Sequence, residues 1–133
     1  MYRIFLLALC LISIPAAALE DFPLPEPTQN PDATFRIFRT QNIFTLLKLD
    51  TRTGQIWQVQ WGNDDDHRFT VAINRTVLLP AGSVERPAIL KPGRFTLSPT
   101  LNIHVFILLD VEDGRTWAVQ WGDAAQRFIL AIQ

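Results

Sequence analysis

Cysteine is nearly missing from this chain: Cys10 is the only one among 133 residues. One thiol cannot close a disulfide within the chain or supply the paired Cys spacings of a zinc ribbon. An excess of charge of either sign is missing too. Twelve basic side chains stand against thirteen acidic ones, so the sequence offers no broad positive field for a phosphate backbone, and no nucleic-acid partner is expected. Beyond the first twenty residues only Ser83 and Ser98 carry a serine hydroxyl, and there is no Gly-x-Ser-x-Gly. Glycine-rich phosphate loops and dinucleotide fingerprints are absent as well. The two histidines, His67 and His104, lie in unrelated contexts. No catalytic residue, cofactor or metal ligand is assigned, and the chain is not expected to be an enzyme.

The chain also lacks an uninterrupted apolar run of the ~20 residues that a spanning helix needs. Met1-Tyr2-Arg3 form a short basic start, Ile4 to Ile14 is apolar, and Pro15 precedes Ala16-Ala17-Ala18. That order is expected of a signal peptide over 1–18, cleaved after Ala18. The expected destination is the periplasm or the exterior, with no membrane span after cleavage. Cys10 leaves with the peptide, since a lipoprotein signal wants a small residue where Leu9 stands. Burial must then stabilise the remainder without disulfides. Residues 19–34 hold Pro23, Pro25, Pro27 and Pro31 among acidic and polar neighbours, which reads as a proline-rich tether.

What is present is one unit written twice. Residue n beside residue n + 60 aligns Phe35 with Phe95, Thr40 with Thr100, Asn42-Ile43 with Asn102-Ile103, and Leu49-Asp50 with Leu109-Asp110. Gly54 meets Gly114, Trp57 meets Trp117, and Val59-Gln60-Trp61-Gly62 meets Val119-Gln120-Trp121-Gly122. After a one-residue deletion, Arg68-Phe69 and Ala72-Ile73 meet Arg127-Phe128 and Ala131-Ile132. Duplication at this period marks two copies of one supersecondary unit. Residues 35–133 form a single β domain of repeat 1 (35–74), a connector (75–93) and repeat 2 (94–133).

Alternation and turn signals divide each copy into four strands: 35–39, 43–49, 55–61 and 69–73, then 95–97, 103–109, 115–121 and 127–132. Asp50 to Gly54 and Asp110 to Gly114 are tight hairpins, in which Asp caps the turn and Gly takes the positive φ. A further short strand is expected at Thr76 to Leu79. On the third strand Trp57, Val59 and Trp61 point away from Gln58 and Gln60, and Trp117, Val119 and Trp121 point away from Ala118 and Gln120. Each copy alone leaves such an aromatic face in water. The expected fold is therefore all-β, with two tandem four-stranded antiparallel repeats packed as an eight-stranded sandwich or barrel, their indole-bearing sides against one another. The second strands resist this scheme: Phe44 and Leu46 on one side, and Leu47 and Leu49 on the other, call for cover on both faces.

The segments FTLLKLDTRTGQIWQVQWG (44–62) and HVFILLDVEDGRTWAVQWG (104–122) resemble a tandem Phe-x-x-Leu-x-Leu-Asp-x-x-x-Gly-x-x-Trp-x-Val-Gln-Trp hairpin repeat found in small secreted bacterial proteins of uncharacterised function. The resemblance covers most of the chain after residue 18. It implies export and an all-β repeat, and no activity. The Asp…Gly…Trp hairpin is also similar to blades of quinone-enzyme-like β-propellers, which need more than the two units available here.

Asp64-Asp65-Asp66-His67 is the densest set of metal-ligand types. Neighbouring loop carboxylates diverge, and repeat 2 has Asp123-Ala124-Ala125-Gln126 there, so a solvated loop is expected. His104 is expected to be a satisfied sheet residue, and Asp50 and Asp110 turn caps rather than a glycosidase pair. The four tryptophans are expected in the core. Gln60 and Gln120 form either an amide ladder or a polar binding surface. Functional distinction should appear where the copies differ: Asp64 to His67, the connector from Val77 to Leu90, and Arg39 against Pro99. The expected function is a non-catalytic binding module for a protein or an envelope polysaccharide, or an inhibitor of a secreted hydrolase, with a metal-assisted hydrolase as the enzymatic alternative. A homo-oligomer is a further possibility, because it would cover the doubly apolar strands.

Overall fold

The computed structural model describes residues 30–80 and 90–133. The expected signal peptide, residues 19–29 of the tether and residues 81–89 of the connector lie outside the described residues. No helix among the described residues is long and apolar enough to cross a membrane.

The chain is all-β with an internal repeat. Repeat 1 contributes β1 (Phe35–Arg39), β2 (Thr45–Asp50), β3 (Ile56–Gln60) and β4 (Phe69–Ala72); repeat 2 contributes β5 (Phe95–Pro99), β6 (Val105–Asp110), β7 (Thr116–Gln120) and β8 (Phe128–Ile132). Each repeat is one antiparallel meander, in the order β1-β2-β3-β4 and β5-β6-β7-β8. The two sheets stack as a sandwich and no barrel closes, with β5 lying against β2. A single 3-10 turn, Asp65–His67, breaks the loop before β4. The second strands start two residues later than expected: Ile43 is in the turn and 75% exposed.

The hairpins form as their residue types dictate. The Asp50 carboxylate accepts the Arg52 amide at 2.9 Å and its carbonyl accepts the Gly54 amide at 2.9 Å, while Gly54 sits at φ 71°. Asp110 repeats this with Glu112 at 3.0 Å and Gly114 at 2.9 Å. Asp110 is also buried against Arg94, whose Nε lies 3.1 Å and 3.0 Å from its two oxygens. Burial is tolerable because the remaining lone pairs are used by turn amides and Arg115.

The faces do not meet as expected. Residues paired across a register share a face, so Trp57, Val59, Lys48, Phe35 and Ile37 form the indole face of repeat 1, and Ile56, Gln58, Leu47, Leu49 and Phe38 form its back face. In repeat 1 the back face is buried: Leu47, Leu49 and Ile56 are fully covered. In repeat 2 it is the indole face that is buried, through Phe95, Leu97, Phe106, Leu108, Trp117, Val119 and Trp121. Those two faces together make the one core. The sheets therefore stack front to back, not indole side to indole side. Doubly apolar second strands are the reason: Leu47 and Leu49 give repeat 1 a back face as apolar as its front.

The clasp between repeats is made largely by the main chain at the first hairpin. The Phe95 amide donates to the Thr51 carbonyl at 2.8 Å, and the Gly93 amide to the Thr51 hydroxyl at 2.9 Å. At the other end the Gly122 amide donates to Gln58 Oε1 at 3.0 Å. The expected strand at Thr76 to Leu79 does not form. Chain pairing ends when the Asn74 side chain, in place of a backbone carbonyl, accepts the Ile56 amide at 2.7 Å; beyond it the Leu78 amide donates to the Thr53 carbonyl, and the Thr76 and Leu79 carbonyls accept side-chain donors of Asn74 and Arg115. Asn74 Nδ2 also donates to the Gly54 carbonyl at 3.1 Å. Asn74→Ala leaves both buried groups without that partner, so urea unfolding should show a loss of about 1–3 kcal/mol, with Asn74→Gln recovering little because its amide sits one methylene too far out.

Candidate functional site

Repeat 1 presents its indole face without cover from any described residue of repeat 2. Phe35 is 49% exposed where its counterpart Phe95 is fully buried, and Trp61 is 48% exposed where Trp121 is 4%. Lys48 replaces the Leu108 of repeat 2 and lies over the Trp57 ring at 4.6 Å, which leaves a cationic group on this aromatic surface.

At the upper end of the face the β1–β2 and β3–β4 loops build a groove of about 220 Å³ lined by Phe44, Gln60, Trp61, Asn63, Asp64 and His67. Local sequence fixes both walls. The Thr40 hydroxyl accepts the Asn42 amide and donates to the Thr45 carbonyl at 2.8 Å, while Asn42 Oδ1 accepts the Phe44 amide at 2.9 Å. The Trp61 amide then donates to the Phe44 carbonyl at 2.9 Å, and the two rings meet edge to face at 5.4 Å. Opposite them, Asp64 caps the 3-10 turn by accepting the His67 amide at 3.1 Å, and its carboxylate also contacts His67 Nδ1 at 2.5 Å.

Repeat 2 builds the same loop and closes the same space. Thr100 and Asn102 make the equivalent bonds, and His104 stands where Phe44 does, 4.8 Å from Trp121. The Trp121 indole donates to the Ile103 carbonyl, and Gln58 of repeat 1 reaches the Gly122 amide. Trp121 is thereby covered, whereas the groove beside Trp61 stays open. A second cavity of about 240 Å³ lies between the loops of the two repeats, where Arg39 and Thr40 face Pro99 and Phe106.

Of the residues singled out from sequence, Asp64 and His67 are brought together, whereas Asp65 pairs with Arg68 and Asp66 stays exposed. No three His, Cys, Asp or Glu groups converge among the described residues. Asp50 and Asp110 occupy separate hairpins as turn caps. His104 sits in the turn before β6 as the stacking partner of Trp121. Trp117 and Trp121 are core, as expected of all four; Trp57 is half-buried and Trp61 is not core. Phe44 and Asn63 also line the groove; alternation marks Phe44 as an apolar strand residue that calls for cover, and no local pattern distinguishes Asn63. Comparison with protein-family models, curated proteins and solved structures found no match.

The hydrogen bond from His67 holds the Asp64 carboxyl below its ordinary range. A carboxyl with a lower pKa folded than unfolded favours the folded chain above the unfolded value of ~3.9, and this contribution fades as the pH falls through the folded one. Full exposure keeps the effect small. Carboxyl-detected NMR should find Asp64 titrating below its ordinary range, and His67→Ala should move it back upward towards that range.

Proposed function

We propose that this is an exported, non-catalytic binding module of the small secreted repeat type, and that its groove takes a carbohydrate-bearing stretch of an envelope polymer. The observation that carries this reading is the open groove of repeat 1, at a position that repeat 2 fills. Sugars present C–H faces that lie against aromatic rings and hydroxyls that need both donors and acceptors. Phe44 and Trp61 supply the first requirement, and Gln60, Asn63 and Asp64 supply the second. Lys48 on the adjoining face adds attraction for an acidic polymer. The lining holds no Ser, Thr, Cys or Lys beside the Asp64–His67 pair, and its amides and rings suit recognition of hydroxyls and C–H faces.

Co-sedimentation with purified peptidoglycan sacculi, and competition by soluble envelope polysaccharides, tests this. The chain from residue 19 onward should pellet with the polymer, and Trp61→Ala should weaken retention by about tenfold, or 1.4 kcal/mol, with an unchanged far-UV spectrum. Equal retention of the variant, or a wild-type chain that ignores every polymer tried, would defeat the proposal.

A further inference from the structure

We propose that copies of this chain assemble head to tail, the indole face of repeat 1 in one copy docking on the back face of repeat 2 in the next. The intrachain interface is the template. There the indole face of repeat 2 covers the back face of repeat 1, and each chain carries one example of both that no described residue of the other repeat covers. The unused indole face keeps Phe35, Trp57, Val59 and Trp61, identical to the buried Phe95, Trp117, Val119 and Trp121. The unused back face keeps Ile107, Leu109 and Ile132 where repeat 1 has Leu47, Leu49 and Ile73. Ile132 is 48% exposed, whereas Ile73 packs on the core. The main-chain clasp recurs as well: the Val111 amide bonds the Arg94 carbonyl as the Thr51 amide bonds that of Thr34, so the Val111 carbonyl is set to receive Phe35 of the next copy as Thr51 receives Phe95.

The unused faces are not perfect copies, and their differences set the character of the contact. Lys48 stands for Leu108 on one; Ser98, Thr116 and Ala118 stand for Phe38, Ile56 and Gln58 on the other. A four-stranded face of five-residue strands spans about 19 by 17 Å, small beside the ~800 Å² per partner of a standard stable interface. The assembly is therefore dissociable. Ala118 also lacks the amide with which Gln58 reaches Gly122, so the groove beside Trp61 stays open at the seam. Front-to-back contacts propagate until rotation closes them; radial stacks of such sheets close at about four to eight units, or about two to four chains. This holds whether or not the groove takes a polymer.

The test is sedimentation velocity of the chain from residue 19 onward, from nanomolar to high micromolar concentration, with Phe35→Arg and Ile132→Arg as face variants and Ile107→Arg as a second back-face variant. Far-UV spectra and cooperative unfolding confirm that each folds. Expected are concentration-dependent species larger than the monomer for the wild type, monomers for each variant alone, and a 1:1 dimer when Phe35→Arg is mixed with a back-face variant, since one intact face of each kind remains. Acrylamide quenching of tryptophan should weaken as the wild type assembles. A wild type that stays monomeric overturns the proposal, and protection of Trp57 and Trp61 in that monomer, read in a Trp117→Phe, Trp121→Phe background, would instead indicate cover by the chain's own N-terminal segment. Back-face variants that still self-associate while Phe35→Arg does not would indicate an indole-to-indole dimer and overturn it equally.

Discussion

The structure depends on one polarity of stacking: the indole face of repeat 2 on the back face of repeat 1. Seven large apolar side chains from one sheet meet Phe38, Leu47, Leu49 and Ile56 from the other, and burying each is worth roughly 1.5–3 kcal/mol against the entropy of ordering the chain. Neither sheet alone could stand, because a four-stranded meander with one apolar face in water lacks a second layer. Gln58 lies inside this contact and tests its quality. A buried amide without a partner would cost about 1–3 kcal/mol, and the Gly122 amide supplies that partner from the opposite repeat. The same bond fixes the lateral register of the two sheets at one end, while Thr51 fixes it at the other.

Polar groups in the seam serve position more than cohesion. Arg94 and Asp110 are both buried, an arrangement whose desolvation offsets much of its attraction. Its use is that Arg94 immediately precedes Phe95, so holding the guanidinium against the second hairpin aims the first aromatic ring of repeat 2 at the Thr51 turn. Repeat 1 does without such a pair: Thr34 stands where Arg94 does, and Asp50 bonds the half-exposed Arg52 instead.

Much of this was legible from the residues. The period of sixty, the four strands per copy and the Asp-to-Gly hairpins all follow from local chemistry, namely alternation, turn capping and the positive φ of Gly54 and Gly114. Which face meets which was not, because alternation gives each strand two sides without ranking them. The signal lay in β2, where Leu46 and Leu47 put apolar groups on both sides and so asked for cover twice. Tryptophan points the wrong way, because a shared position suggests shared burial and Trp61 does not share that of Trp121. The absent strand after β4 was illegible for another reason, since Asn74 satisfies by side chain what a strand would satisfy by backbone, and sequence alone does not reveal that substitution.

The groove shows how two copies of one unit come to differ at a corresponding place, through their loop residues and through what covers them. Trp61 and Trp121 share the Val-Gln before them, the Gly after them and a main-chain bond to the turn before the second strand. Phe44 and the Asp64–His67 loop stand where repeat 2 has His104 and Asp123 to Gln126, but those local differences do not by themselves decide which indole is buried. Context does: Gln58 reaches across to close the space beside Trp121, and no described residue does so for Trp61. The physical difference is cover: the back face of repeat 1 lies over Trp121, with Gln58 closing its edge, whereas no described residue lies over Trp61, so one indole serves the core and the other stays exposed.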